Sequence, residues 1–210
     1  MLRIDKLSDI DLNAYEAFIV DVDGTLFDLR KMQYYMMWRL LCYYSLHFWQ
    51  LKDLLIIYLF RRERERLAHQ NIKNVAYEQY RIVAIKISVE TERVRRLIEY
   101  WMQEVPLSYL VRCENKLLID FLKSPFLAKK KILVLSDYPA NKKIEILGIR
   151  ADGIFCSTDS EIDSLKPNPR GLEVILDKFN LKIETCLLIG DRENKEGVMA
   201  TKIGMSYIII

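Results

Sequence analysis

Between residues 28 and 102 the chain has neither glycine nor proline. The usual helix breakers are therefore missing from a stretch rich in Leu, Ile, Tyr and Arg, a composition that favours helix. Cysteine is sparse. Cys42, Cys113, Cys156 and Cys186 share no CxxC spacing, which excludes a disulfide framework and a structural zinc site. Cys156 and Cys186 sit on or beside apolar strand patterns, where free cysteine behaves as a small hydrophobe. Net charge is low as well: a formal +3 over 210 residues makes no concentrated basic face, so nucleic acid is not an expected partner. Long apolar runs are absent too. The most membrane-like stretch, 32–60, is interrupted by Arg39, His47, Gln50, Lys52 and Asp53. Its longest clean run, 54–60, falls far short of the about 20 residues that a spanning helix needs. A peripheral membrane contact through its aromatics stays open, with helix packing the preferred account. Met1 to Asp11 is charged and lacks a signal-peptide core, and the expected location is cytoplasmic.

What the sequence does contain describes a globular protein. Hydrophobic residues make up 51% and charged residues 29%, enough for one substantial core with a smaller inserted module. Two regimes are visible. In the first, Tyr34, Tyr35, Trp38, Leu41 and Leu46 recur at roughly helical spacing, as do Val75, Tyr80, Val83 and Ile87. The aromatic stripe is expected in a core or an interface, with a homodimer through it as one partner arrangement. The mixed-sign run 61–66 reads as a solvated helix face with local ion pairs. Pro106 fits a boundary of this region, because proline disfavours helix at the residue before it. In the second regime, short apolar strands at 132–135, 153–156, 187–189 and 207–210 alternate with helical stretches at 139–147, 168–179 and 193–203. With a first strand at 18–20, this predicts an α/β fold with a mostly parallel, Rossmann-like sheet flanked by helices.

The chemistry gathers at the ends of those strands. Phe18, Ile19 and Val20 lead into Asp21 and Asp23, and side-chain alternation points two acids at that spacing to one side. Gly24 then allows a sharp turn. Paired acids at the end of a buried strand are costly unless they share a metal or protons. Such a pair suits nucleophilic and acid/base work on a phosphate held by a hard cation. Ser136 follows the apolar run 132–135, Lys166 stands before Pro167 and Pro169, and Asp191 follows 186–190 with Asn194 and Glu196 soon after. Each polar group sits just past an apolar run, where open parallel sheets build their sites. Taken singly, each has a plain account: Ser136 as a helix cap, Lys166 as a solvated loop lysine, Asp191 as a turn acid.

In this order the segments resemble the haloacid dehalogenase (HAD) superfamily over nearly the whole chain. Asp21-Val22-Asp23-Gly24-Thr25 is similar to its first motif, Ser136 to the second, Lys166 to the third, and Gly190-Asp191 with the following acids to the fourth. The resemblance implies a core of residues 1–27 and 107–210 and an inserted all-helical cap of 28–106, hinged at 27–29 and 106–111. It implies a phosphatase in which Asp21 attacks phosphorus and Asp23 serves as general acid and base. Thr25, Ser136 and Lys166 would hold the phosphate. Magnesium would be bound by Asp21, the Asp23 backbone carbonyl and Asp191. The second aspartate usual in the fourth motif is missing; Asn194 and Glu196 stand nearest, and Glu196 is assigned a supporting role at the metal through water or Lys166. The implied substrate is a small phosphorylated metabolite, phosphoglycolate among them. A sugar phosphomutase and a non-catalytic binding protein are the alternatives. A dehalogenase is disfavoured because an alkyl halide leaves without a proton, which makes Asp23 redundant.

Overall fold

A computed structural model describes residues 3–4, 11–70 and 72–210. The charged N-terminal stretch, Met1 to Asp11, lies outside these apart from residues 3, 4 and 11. Six strands form one sheet: β1 (Arg3–Ile4), β2 (Ala17–Val20), β3 (Lys131–Ser136), β4 (Gly153–Cys156), β5 (Cys186–Gly190) and β6 (Ser206–Ile209). Their order is β1-β6-β5-β2-β3-β4 and every pairing is parallel. The expected α/β class holds. The strand β1, which pairs Arg3 with Tyr207, adds an edge that apolar patterning does not reveal.

Both faces of the sheet are covered, so the strands read as unbroken apolar runs without alternation. Phe18, Val20, Ile132, Val134, Leu187 and Ile189 pack on one face, against helices that include α6 (Lys116–Leu122) and α7 (Asn141–Leu147). Ile19, Leu133, Leu135 and Leu188 point the other way, onto α8 (Arg170–Phe179) and α9 (Val198–Ile203). This is a three-layer sandwich.

The glycine-free region between β2 and β3 is helical, as its composition predicts. It comprises α1 (Leu29–Leu46), α2 (Lys52–Leu67), α3 (Val75–Ile87) and α4 (Thr91–Ile98). Ile56, Phe60, Tyr80, Val83, Val94 and Ile98 form a separate small core, in which Phe60 and Tyr80 stack at 5.4 Å. The chain leaves and re-enters the sheet domain along paired segments. Asp28 N donates to the Cys113 carbonyl at 2.8 Å and Asn115 N to the Leu26 carbonyl at 2.9 Å. Asp28 then caps α1 by accepting from Lys31 N at 3.0 Å.

Two sequence expectations are corrected here. Pro106 does not end the helical path: a π-helical stretch, Glu99–Glu104, passes into a 3-10 stretch, Val105–Tyr109, and then into α5 (Leu110–Cys113). Changing the hydrogen-bond spacing accommodates the missing proline N–H without breaking the rod. Of the stripe expected in a core or an interface, Tyr35 is partly buried against the main core, while Tyr34, Trp38, Leu41 and Leu46 are exposed and are therefore not core. Helical periodicity says that residues share a face; it does not say whether anything covers that face.

The central strand carries much of the stability. Ile19→Ala removes a side chain with no exposure and should destabilise the fold by about 2–5 kcal/mol in urea denaturation. Leu117→Ala, at a position 86% exposed, should stay within about 0.5 kcal/mol of wild type.

Candidate active site

From β2 the chain first builds one side of the sheet, β3 and β4, and then returns to build the other, β5 and β6. Loops leaving the carboxyl ends of β3 and β5 therefore diverge around the end of β2, and a crevice opens there. Asp21 follows β2 and keeps the ladder going, donating its N–H to the Ile189 carbonyl at 2.9 Å. Ser136 ends β3 on one side and Asp191 follows β5 on the other.

Two glycines let these loops touch. Gly24 has φ +103°, and a Cβ on it would lie 2.2 Å from Asp191 Oδ2. A Cβ on Gly190 would lie 2.3 Å from Glu196 Cγ, because the π-helical turn Glu193–Gly197 folds Glu196 back over the strand end.

Lys166 is the plainest departure from a solvated loop lysine. Its side chain is 1% exposed, and its ammonium donates to Asp21 Oδ1 and, at 2.9 Å, to Glu196 Oε1. The Lys166–Pro167 peptide is cis. Thr25 donates its hydroxyl to Asp21 Oδ2 at 2.9 Å, so this residue serves the carboxylate that sequence reading set apart from it. Asp21, Thr25, Lys166, Asp191 and Glu196 are thus brought together. Asp23 stands nearer the solvent, with Oδ1 held by the Lys143 ammonium at 2.5 Å and Oδ2 buried without a hydrogen-bond partner. Ser136 is buried, and its oxygen accepts from Tyr138 N at 3.3 Å.

Burial sets the electrostatics. It pushes the Asp21 carboxyl up to about 6; Lys166 opposes that rise, and Glu196 reinforces it. Burial also works against the Lys166 ammonium, but Asp21, Glu196 and Asp137 outweigh it and hold the group above the usual lysine range. Burial raises Asp191 too, against the nearby Arg192. At Asp137 the order reverses: burial is overcome by Arg64, Lys166 and Lys195, which keep the carboxyl below its usual range.

One carboxylate oxygen each from Asp21, Asp191 and Glu196 lies within 4.8 Å of the others. Asp191 Oδ1 and Glu196 Oε2 are buried and lack hydrogen-bond partners, with Arg192 Nε at ion-pair distances of 3.5 and 4.0 Å. Buried acceptors without a hydrogen bond call for an explanation, and an all-oxygen set of this kind fits a hard divalent cation such as magnesium.

Sequence reading missed several residues. Asp137 accepts from Ser157 Oγ at 2.8 Å and from Lys166 N at 3.4 Å, tying β3 and β4 to the lysine loop. Lys143 on α7 and Lys195 in the π-helical turn, which the sequence reading did not single out, are both buried. Lys195 bonds Glu65 of α2 at 2.8 Å and lies 3.7 Å from Asp137.

The run 61–66 needs correction, since Glu63 and Arg64 within it are buried. Arg64 donates to Gln79 Oε1 and to the Asp137 carbonyl, and its guanidinium lies 4.3 Å from the Tyr138 ring centre. A signal was available: continuing the helical period of Ile56 and Phe60 reaches Glu63, Arg64 and Leu67. A second tie joins the helical insertion to the sheet domain. The Asp163 carboxylate accepts from Asn74 N at 2.6 Å and Val75 N at 2.7 Å, capping α3 from the sheet domain.

Comparison with known proteins agrees with this fold. Structural likeness extends to 2-haloacid dehalogenase from Pseudomonas syringae pv. Tomato DC3000, with a TM-score of 0.64 and 17% identity over 93% of this chain and 86% of that one. YfnB from Bacillus subtilis, bound to magnesium, gives a TM-score of 0.61 and 14% identity over 93% and 86%. CbbY from Rhodobacter sphaeroides in complex with phosphate gives 0.52 and 16% over 93% and 85%. At these identities the likeness concerns the fold. No curated protein matches the sequence significantly. The family model described as haloacid dehalogenase-like hydrolase matches residues 15–204, nearly the whole chain, and the protein belongs to that family.

Proposed function

We propose that this hydrolase is a magnesium-dependent phosphomonoesterase that works through an aspartyl-phosphate on Asp21. The observation that carries the reading is the state of Asp23. Its Oδ1 is fixed by Lys143 and its Oδ2 has no partner, while its charge is near enough to raise the Asp21 carboxyl. A second carboxyl beside the nucleophile has work to do when an alcohol must leave with a proton, and none when a halide leaves.

In the first step an Asp21 oxygen attacks phosphorus, the ester P–O bond breaks, and the leaving oxygen takes a proton from Asp23. In the second, Asp23 takes a proton from water, whose oxygen attacks phosphorus and releases Asp21 and inorganic phosphate. Lys166 and Ser136 hold the phosphate oxygens; Thr25 orients Asp21 through its hydroxyl. Asp21, the Asp23 backbone carbonyl and Asp191 would hold the magnesium ion, with Glu196 supporting through Lys166. When bound, the ion supplies the positive charge that offsets repulsion between a carboxylate and a phosphate dianion.

Residues 28–106 would form the cap over this site and choose the substrate, a small phosphomonoester of the phosphoglycolate kind. Arg64 and Glu65 support that placement, because they bring α2 to Asp137 and Lys195. A phosphomutase would use the same groups, and product analysis on a sugar phosphate separates the two.

Asp21→Asn should abolish release of phosphate from an aryl phosphate while the protein still folds, as judged by circular dichroism. Near wild-type turnover would remove the nucleophile assignment, and turnover of 2-haloacids without phosphatase activity would favour the dehalogenase. Magnesium affinity, followed by calorimetric titration, should fall roughly 10–100-fold in Glu196→Gln and further in Asp191→Asn. A silent Glu196→Gln, or one as damaging as Asp191→Asn, would contradict the supporting role.

A further inference from the structure

α1 is apolar around most of its circumference, yet only Met32 and Tyr44 on it are buried. Tyr34, Met37, Trp38 and Leu41 face solvent at i, i+3, i+4 and i+7, one continuous helical stripe. The same spacing recurs at α2, where Leu51, Leu54, Leu55 and Tyr58 are exposed. Between the helices, the 3-10 turn Phe48–Gln50 holds out Phe48 and Trp49. That turn is braced from beneath. His47 stacks on Tyr43 with ring centres 4.3 Å apart, Tyr43 donates to Gln50 Oε1 at 3.2 Å, and Tyr43 meets Trp101 edge-on at 5.1 Å.

The exposed area is large for a surface without a partner. Tyr34, Trp38, Phe48, Trp49 and Tyr58 are each 59–68% exposed. At about 200 Å² apiece, they put on the order of 600 Å² of ring surface in water. That alone reaches the upper end for a typical monomer, about 300–600 Å², before the aliphatic side chains are counted.

Charge decides what covers this surface. Over α1, the turn and α2 the exposed charged side chains are seven cations, Arg30, Lys31, Arg39, Lys52, Arg61, Arg62 and Arg66, against Glu65, which bonds Lys195. The other carboxylates, Asp53 and Glu63, are buried and paired, with Arg93 at 3.2 Å and Lys86 at 2.7 Å. A two-fold contact with a second copy would set these cations against each other. An anionic lipid surface instead takes the cations at its headgroups and the Trp and Tyr rings at its interface.

We propose that α1, the Phe48–Gln50 turn and α2 form a face that seats the protein on the surface of an anionic lipid bilayer. Among the described residues no helix is long and apolar enough to cross a membrane, so attachment lies in the plane of the interface. The opposite face of α2 carries Arg64 to Asp137, which places the site above on the same rigid helix.

Sedimentation of the intact protein with vesicles tests this. It should co-sediment with phosphatidylcholine vesicles that contain phosphatidylglycerol, less so as salt rises, and not with pure phosphatidylcholine vesicles. Trp38→Ser combined with Trp49→Ser should weaken binding by roughly tenfold or more. Arg39→Glu combined with Lys52→Glu should do the same through charge. Both variants should keep wild-type melting temperatures, because all four side chains are exposed. Absence of binding to the anionic vesicles, or wild-type binding in both double variants, overturns the proposal. A concentration-dependent dimer lost in the Trp38→Ser/Trp49→Ser variant, with no vesicle binding, assigns the face to a second copy instead.

Discussion

Lys166 brings its ammonium into a volume almost closed to water and meets Asp21 and Glu196 there. Each of these charges alone would be expensive to bury, and together they are tolerable only while the geometry holds. Removing one partner from such a set costs about 3–5 kcal/mol, because the charges left behind stay buried and uncompensated. The lysine loop, the end of β2 and the turn after β5 are therefore locked to one another by electrostatics. The loops that carry Thr25 and Asp137 follow, since Thr25 bonds Asp21 and Asp137 accepts from the backbone of Lys166 itself.

Steric constraint complements the charge. Asp191 can approach Asp21 only because Gly24 has no Cβ, and Glu196 can fold over the strand only because Gly190 has none. The result is a cluster with more buried carboxylate oxygen than the lysine satisfies. Asp191 Oδ1 and Glu196 Oε2 lack hydrogen-bond partners and face the Arg192 guanidinium, whose Nε lies 3.5 and 4.0 Å from them, an oxygen set of the kind that suits a hard cation. Asp23 lies outside this lock, nearer to solvent and bonded to Lys143 alone. A rigid, buried carboxylate and a more accessible one are thus separated by two residues of sequence; in the proposed reading they are the attacking group and the proton carrier.

The sheet and the polar ends of β2, β3 and β5 were legible because both rest on local pattern. A strand buried on two faces must be continuously apolar, and a charge that interrupts such a run marks the strand end. Lys166 and Glu196 were legible by order along the chain, though their mutual contact was not. Lys143, Lys195 and Arg64 escaped notice because an isolated basic residue on a polar segment has the same local appearance whether or not a carboxylate waits across the fold. Only the inner period of α2 carried a trace, with Glu63 and Arg64 falling in line with Ile56 and Phe60. The exposed stripe of α1 was left between core and interface for the complementary reason. Periodicity assigned its residues to one face; only tertiary structure shows that among the described residues nothing covers most of it.

α2 joins these threads. Its inner face supplies Ile56, Phe60 and Leu67 to packing and Arg64 to the site, so its position relative to Asp137 is fixed by contacts over most of its length. Its outer face is apolar near the start and cationic at Arg61 and Arg62. A helix with one face committed to the site and the other left open couples whatever binds outside to the insertion as a whole. It does so as a lever, because the two faces are turns of the same hydrogen-bonded rod. Two ties from adjacent residues of that helix differ in kind. Arg64 with Tyr138 is a buried cation on a ring, little affected by salt, whereas Lys195 with Glu65 has one partner 60% exposed and is open to screening. The insertion is thus held to the sheet domain by ties of differing strength, with the Asp163 cap on Asn74 and Val75 adding a third.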